Sequence, residues 1–81
     1  MQMTSSELYV RFEFLGAVLQ YSRDKGYFSA GQRICLHQEC AAILQAKDWI
    51  YEANLETIEP AYRIPDHLEM IALQVQRDFH F

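Results

Sequence analysis

Apolar residues recur along this chain with the spacing of three helices. From residue 5 to about residue 25, most large apolar side chains return every three or four positions, which places them on one side of an α-helix. The same spacing returns over residues 30–53 and again over about 65–79. In the first two stretches the apolar side covers more than half of the helix circumference, so we expect each helix to be buried or to contact two neighbours.

The ends of these stretches carry residues typical of helix caps. Residues 4–7 and 29–32 both fit the capping box, in which a hydroxyl accepts from a free backbone N–H and a Glu or Gln three positions later reaches back. Gly26 and Asn54 are suited to the left-handed position that follows a helix. Pro65 is typical of a first helical turn.

These patterns predict an all-α fold, with one small three-helix domain over residues 1–81. Two long helices, at about 5–25 and 30–53, are expected to form an antiparallel hairpin because the connection between them is short. The third helix, at about 65–79, is expected to pack across the hairpin after an irregular segment. For residues 8–15 a strand is the alternative, because apolar and charged side chains alternate there, but the longer helical register favours a helix.

The chain is rich in large side chains for its size: 51% of its 81 residues are hydrophobic, and five are Phe, five Tyr and one Trp. A chain of this length buries only about 60–65% of its unfolded surface. Some of these side chains should therefore form an exposed patch of the kind that binds partners. Trp49 is expected to pack between helices or across an interface. The residues predicted to contact a partner are Phe14, Tyr21, Trp49, Tyr51, Phe79 and Phe81.

We therefore predict a non-enzymatic protein-interaction module without a cofactor. It would act through its apolar helix faces as an adaptor, inhibitor or regulatory subunit, on a protein partner or on a second copy of itself as a homodimer. The formal charge of −4, from eleven acidic and seven basic residues, argues against a nucleic-acid partner. No uninterrupted apolar run has the length of a membrane span. With no secretory signal at its start and two cysteines, the chain is expected in the cytoplasm with both thiols reduced.

A second class of function stays open, that of a DNA-binding transcriptional regulator. In this interpretation residues 24–44 form a helix-turn-helix, and helix two is the recognition helix. That helix carries only Arg33 ahead of Lys47, which leaves few side chains for phosphate contacts.

A third class is a small metal-binding or thiol enzyme, suggested by Cys35, His37 and Cys40, with His67 and His80 as further candidate ligands. Structural zinc requires four ligands in a tetrahedron. On one continuous helix the two cysteines point roughly 140° apart, so they cannot chelate one ion together. We therefore expect two small core thiols that carry no metal.

Overall fold

The fold consists of three α-helices, seen in a computed structural model that describes all residues from Met1 to Phe81. The helices are α1 (Ser5–Tyr21), α2 (Ala30–Ala53) and α3 (Asp66–Phe79). There is no sheet, and a single antiparallel bridge joins Met3 to Ile58. The prediction of an all-α fold is confirmed, and residues 8–15 are helical rather than extended.

The first two helices lie side by side and run in opposite directions. Arg33, near the start of α2, donates to the Leu19 carbonyl near the end of α1 at 3.0 Å. Lys47, near the end of α2, donates to Ser5 Oγ at the start of α1 at 3.3 Å. The two helices therefore lie side by side along the whole length of α1, which confirms the predicted hairpin. Residues 24–44 contain a turn and the first part of α2, and not the two helices that a helix-turn-helix requires.

The third helix runs parallel to α1 and packs chiefly on it. Glu69, in the first turn of α3, contacts Arg11 in the first half of α1. Phe79, in the last turn of α3, stacks on Tyr21 at the end of α1. The core lies where the three helices meet. Its cluster of buried apolar side chains comprises Leu8, Leu15, Val18, Leu19, Leu36, Ile43, Ala46, Ile64, Leu68, Ala72 and Val75.

The helix boundaries follow the caps that the sequence predicts. At the start of α2, Ser29 Oγ accepts from the Gln32 N–H at 3.2 Å, and the Gln32 side chain accepts from the Ser29 N–H at 2.9 Å. The box at the start of α1 forms the same two bonds. Asn54 takes the predicted left-handed conformation after α2. Pro65 precedes α3 as its N-cap and is not its first helical residue.

The end of α1 differs from the prediction. This helix ends at Tyr21, earlier than the predicted end near residue 25, and the chain leaves it at Ser22. Asp24 takes a left-handed φ of 59°, ahead of Gly26 at 79°. Aspartate is among the few residues besides glycine that adopt this conformation readily, because its short side chain can hydrogen-bond locally. The helix therefore stops before the glycine, which lies within the turn.

Several apolar residues on the predicted buried sides of α1 and α2 are exposed. Val10 of α1 is 65% exposed, and Leu44 and Tyr51 of α2 are 50% and 88% exposed. The reason is geometric, because α2 is covered mainly on the sides that face α1 and residues 55–64. The wide apolar surface of α2 is therefore partly open to solvent, and α2 is not a central helix.

One ionic network joins all three helices. Arg11 of α1 donates from Nε to Glu39 Oε2 of α2 at 2.7 Å and from Nη2 to Glu39 Oε1 at 3.1 Å. The same guanidinium donates to both carboxylate oxygens of Glu69 of α3, at 3.0 and 2.6 Å. Glu39 is only 2% exposed and also accepts from the Ile64 backbone N–H at 2.9 Å, which fixes the chain just before α3.

The network shifts the pKa values of its members. Burial, the largest single effect on Arg11, acts to lower its pKa, but the hydrogen bonds and charges of Glu69 and Glu39 outweigh it and raise that pKa above its ordinary value. The hydrogen bonds and the charge of Arg11 lower the pKa of Glu69. Because its folded-state pKa is lowered, Glu69 stabilises the fold above its ordinary pKa. This contribution is lost as the pH falls through the folded-state pKa.

We predict that Arg11→Met lowers the free energy of unfolding by about 3–5 kcal/mol, because it leaves the buried Glu39 carboxylate without its cation. Urea unfolding at neutral pH, followed by circular dichroism, measures the change. The variant should also lose the acid sensitivity that Glu69 contributes below about pH 4.5. Arg77→Met is the matched control. That side chain is exposed on α3 and bonds to Gln74, so the change should stay within about 0.5 kcal/mol.

The double variant Arg11→Met, Glu39→Gln separates charge burial from packing. The amide at position 39 still accepts from the Ile64 N–H, and no charge stays buried there. The double variant should therefore be more stable than Arg11→Met alone. An equal or lower stability would mean that the single variant loses stability through the packing of the Arg11 stem.

Gly16 lies in the middle of α1, where glycine weakens a helix. A Cβ built on Gly16 meets no atom within 4 Å, so no close contact in the fold requires glycine there. We predict that Gly16→Ala raises the free energy of unfolding by about 0.5–1 kcal/mol, because alanine has the higher helix propensity. Urea unfolding of both proteins measures the difference. A loss of stability would contradict the open surroundings of this residue.

Candidate functional site

An open groove runs between α1 and α3, and no residue of α2 lines it. Its volume is about 510 Å³, and the exposed part of its lining is mostly apolar. Val10 and Phe14 of α1 and Leu73 of α3 supply this apolar surface. Val10 and Phe14 are four residues apart, which puts them on one side of α1. A groove between two parallel helices is suited to the apolar face of a further helix.

The charged groups that line the groove all form hydrogen bonds within the protein. Arg11 and Glu69 bind each other through two hydrogen bonds. Glu7 accepts from the Thr4 N–H in the capping box of α1. No buried side-chain nitrogen or oxygen lacks a hydrogen-bond partner. An apolar surface that covers Arg11 and Glu69 therefore leaves neither of these two charges unpaired, which would otherwise oppose binding.

An aromatic cluster lies at the end of the groove. Phe81 stacks on Tyr21, with ring centroids 5.1 Å apart. Phe81 also contacts Phe14, which lines the groove, and the centroids of these two rings are 6.3 Å apart. Tyr21 also stacks on Phe79, with ring centroids 5.4 Å apart, and the ring centroids of Phe79 and Tyr27 are 6.3 Å apart. The fold thus brings together four of the six residues predicted to contact a partner. Their role in binding stays a prediction.

Trp49 and Tyr51, the other two predicted contact residues, lie on α2 outside this cluster. Trp49 is 50% exposed and lines a small cavity of about 30 Å³ with Ala46 and Ile58. The expectation that Trp49 packs between helices is wrong, because residues 55–64 and not a helix cover this side of α2. Tyr51 is 88% exposed. A role for either residue in an interface stays a prediction.

A second apolar surface lies along the edge between α1 and α2. The Lys47 ammonium of α2 is 5.5 Å from the centroid of the Tyr9 ring of α1. Leu44 and Tyr51 lie about one helical turn before and after Lys47, and both are at least half exposed, as is Tyr9. None of these residues lines a cavity of the protein. The groove between α1 and α3 is therefore the better-shaped candidate site.

The two cysteines pack against the core from its border, whereas the prediction places them within it. Both are free and half-buried, because they lie at the two edges of the buried stripe that centres on Leu36 and Ile43. Burial, followed by the charge of Glu39, raises the pKa of the Cys40 thiol. A raised pKa disfavours the thiolate that nucleophilic and metal-binding cysteines require. No group of three or more His, Cys, Asp or Glu side chains is placed to hold a metal ion.

The sequence prediction does not include Val10, Leu73, Arg11 or Glu69 among the site residues. Leu73 offers a signal, because it is a large apolar residue outside the stripe by which α3 faces the core. The position of Arg11 within the apolar side of α1 offers another. The groove itself depends on how α3 is placed against α1, and no local pattern contains that information.

Comparison with protein-family models, with curated proteins and with solved structures finds no match for this chain. Each of the three helices is too short or too polar to span a bilayer. The function is therefore inferred from the groove and from the aromatic cluster beside it.

We predict that Phe81→Ala lowers the free energy of unfolding by about 1–2 kcal/mol, because it removes the ring that stacks on Tyr21 and contacts Phe14. Urea unfolding measures the change. Tyr51→Ala is the matched aromatic control, since this ring is 88% exposed, and its loss should change stability by less than about 0.5 kcal/mol. Equal effects of the two substitutions would show that the Phe81 ring contributes no more to the fold than an exposed ring.

Proposed function

We propose that this protein is a non-enzymatic protein-interaction module that binds its partner through the groove between α1 and α3. The observation that carries the proposal is the groove, with about 510 Å³ of open space, a mostly apolar exposed lining and an ion pair between Arg11 and Glu69. Such grooves accept amphipathic helices whose apolar residues recur three, four and seven positions apart. As an adaptor, inhibitor or regulatory subunit, the protein would present this groove to its target.

A second copy of the protein is the proposed occupant when no other partner is present. The same face carries both a groove and a projecting apolar side chain, since Val10 borders the groove and is 65% exposed. Ridges on one helix surface pack into the grooves of another. A face that has both features can pair with itself about a two-fold axis. A homodimer of this kind would bury the projecting side chains of both copies.

A cytoplasmic location and a protein partner belong to the same proposal. Both cysteines are free thiols, and the cytoplasm keeps thiols reduced. The net charge of −4 favours a protein over a nucleic acid as the macromolecular partner.

Sedimentation equilibrium at low micromolar concentration tests the proposed self-association. We predict a dimer for the native chain and a monomer for Val10→Glu, because the new carboxylate would be buried against apolar side chains of the second copy. Ile34→Glu is the matched control. Ile34 is 58% exposed on α2 and lies outside the groove, so this substitution should leave the dimer intact.

Circular dichroism of each variant checks that the helix content is unchanged, so that loss of the dimer reports the interface. A native monomer under these conditions would contradict self-association and leave only a different protein as the partner. Loss of the dimer in Ile34→Glu but not in Val10→Glu would place the interface on α2 and contradict the assignment of the groove.

A further inference from the structure

The closed end of the hairpin carries a polar groove between α1 and α2. Two adjoining concavities, of about 530 and 550 Å³, share Arg23, Arg33 and His37 as lining residues. Gly16 and Gln20 of α1 line the first of them. No other cavity of the protein is lined by more than one basic side chain. This is therefore the place where cationic groups converge on open space.

The positive charges of this groove have no carboxylate partner. Arg33 donates from Nη1 to Ser22 Oγ at 3.1 Å and from Nη2 to the Leu19 carbonyl at 3.0 Å, and both acceptors are neutral. The Arg23 guanidinium is exposed and forms no ion pair. Asp24 lines the outer concavity, but it pairs with neither arginine. In a chain with eleven acidic and seven basic residues, these charges could easily have been paired.

Arg33 is also held in position before any ligand binds. Its two hydrogen bonds fix the guanidinium between the end of α1 and the start of α2, and one acceptor, Ser22, is 2% exposed. A guanidinium has five N–H donors, so three remain for a ligand. A side chain that is already ordered loses less conformational entropy when it binds.

Gly16 keeps the groove open on the side of α1. Glycine weakens the middle of a helix, and its usual justification is a close approach of another group to the backbone. Within the chain no such group exists, because a Cβ on Gly16 would meet no atom within 4 Å. The glycine is accounted for when a second molecule occupies the space that it leaves.

We propose that this groove binds a small phosphate-bearing molecule, with Arg33 and Arg23 as the contacts of its phosphate group. Planar guanidinium groups bind phosphate oxygens through paired, charge-assisted hydrogen bonds. His37 and Gln20 add donors beside the two arginines. The site shares no residue with the groove between α1 and α3, so it is independent of the proposed protein-binding function.

Titration of the full chain with inorganic phosphate, followed by heteronuclear NMR, tests the proposal. Ionic strength is held constant with chloride, because a general salt effect would otherwise shift many amide signals. We expect saturable shifts of the backbone amides around Gly16, Arg23 and Arg33. The amides of α3 should not shift.

Three variants identify the site. Arg23→Gln should weaken phosphate binding by roughly tenfold, since it removes one charge-assisted contact, and the fold should be unaffected because this side chain has no ion pair to lose. Gly16→Leu should abolish binding by filling the groove, and a Cβ at this position meets no atom within 4 Å. Arg77→Gln, on α3, is the matched control and should change the affinity by less than about twofold.

A second ligand, ribose 5-phosphate, distinguishes the source of the phosphate. Tighter binding than that of inorganic phosphate identifies an organic phosphomonoester as the ligand, whereas equal affinity identifies free phosphate, and either result supports the proposal. Shifts that do not saturate would overturn it, as would native affinity in Gly16→Leu or an equal loss in Arg77→Gln. Binding confined to a single-stranded oligonucleotide would also overturn it, because the surface would then be a nucleic-acid contact.

Discussion

The guanidinium of Arg11 holds the three helices of this protein in register. Each of its carboxylate partners comes from a different helix, and one of them, Glu39, also binds the backbone at Ile64. Apolar side chains in a small core pack in several alternative ways, since their attraction has little directionality. Paired hydrogen bonds between a guanidinium and two carboxylates permit one arrangement, and a buried carboxylate without its cation is strongly disfavoured. The network therefore specifies where α3 lies along α1.

The candidate partner-binding groove is a consequence of that placement. Arg11 and Glu69 belong both to the ionic network and to the lining of the groove. The network sets the distance between α1 and α3 beneath the surface, and the apolar side chains of Val10 and Leu73 border the gap that remains above it. A molecule that covers the groove would exclude water from the ion pair and thereby strengthen it, because charges attract more strongly in a medium of lower dielectric constant.

The sequence predicts the local features and the hairpin of α1 and α2 well, but not how α3 is placed against α1. Caps are local signals, so helix starts are predicted closely, whereas the end of α1 is not, because Asp24 and Gly26 can both leave a helix through a left-handed conformation. Aromatic composition predicts an exposed patch without giving its position. The ionic network joins residues 28 and 58 positions apart. The sequence indicates this network only in that Arg11 and Glu39 each interrupt the apolar side of a helix. The periodicity of apolar residues does not reveal which side chains these two bind.

The attachment of α3 has a consequence for the motions of the native state. This helix packs chiefly on α1, whereas the α1–α2 hairpin is joined near both ends by Arg33 and Lys47. Segments with the fewest contacts to the rest of a fold open at the lowest free energy. We therefore expect detachment of α3 to be the opening of a whole helix that costs the least free energy. Because α3 forms one wall of the groove, a ligand that bridges α1 and α3 protects all amides of that helix from hydrogen exchange, and not only those that it contacts.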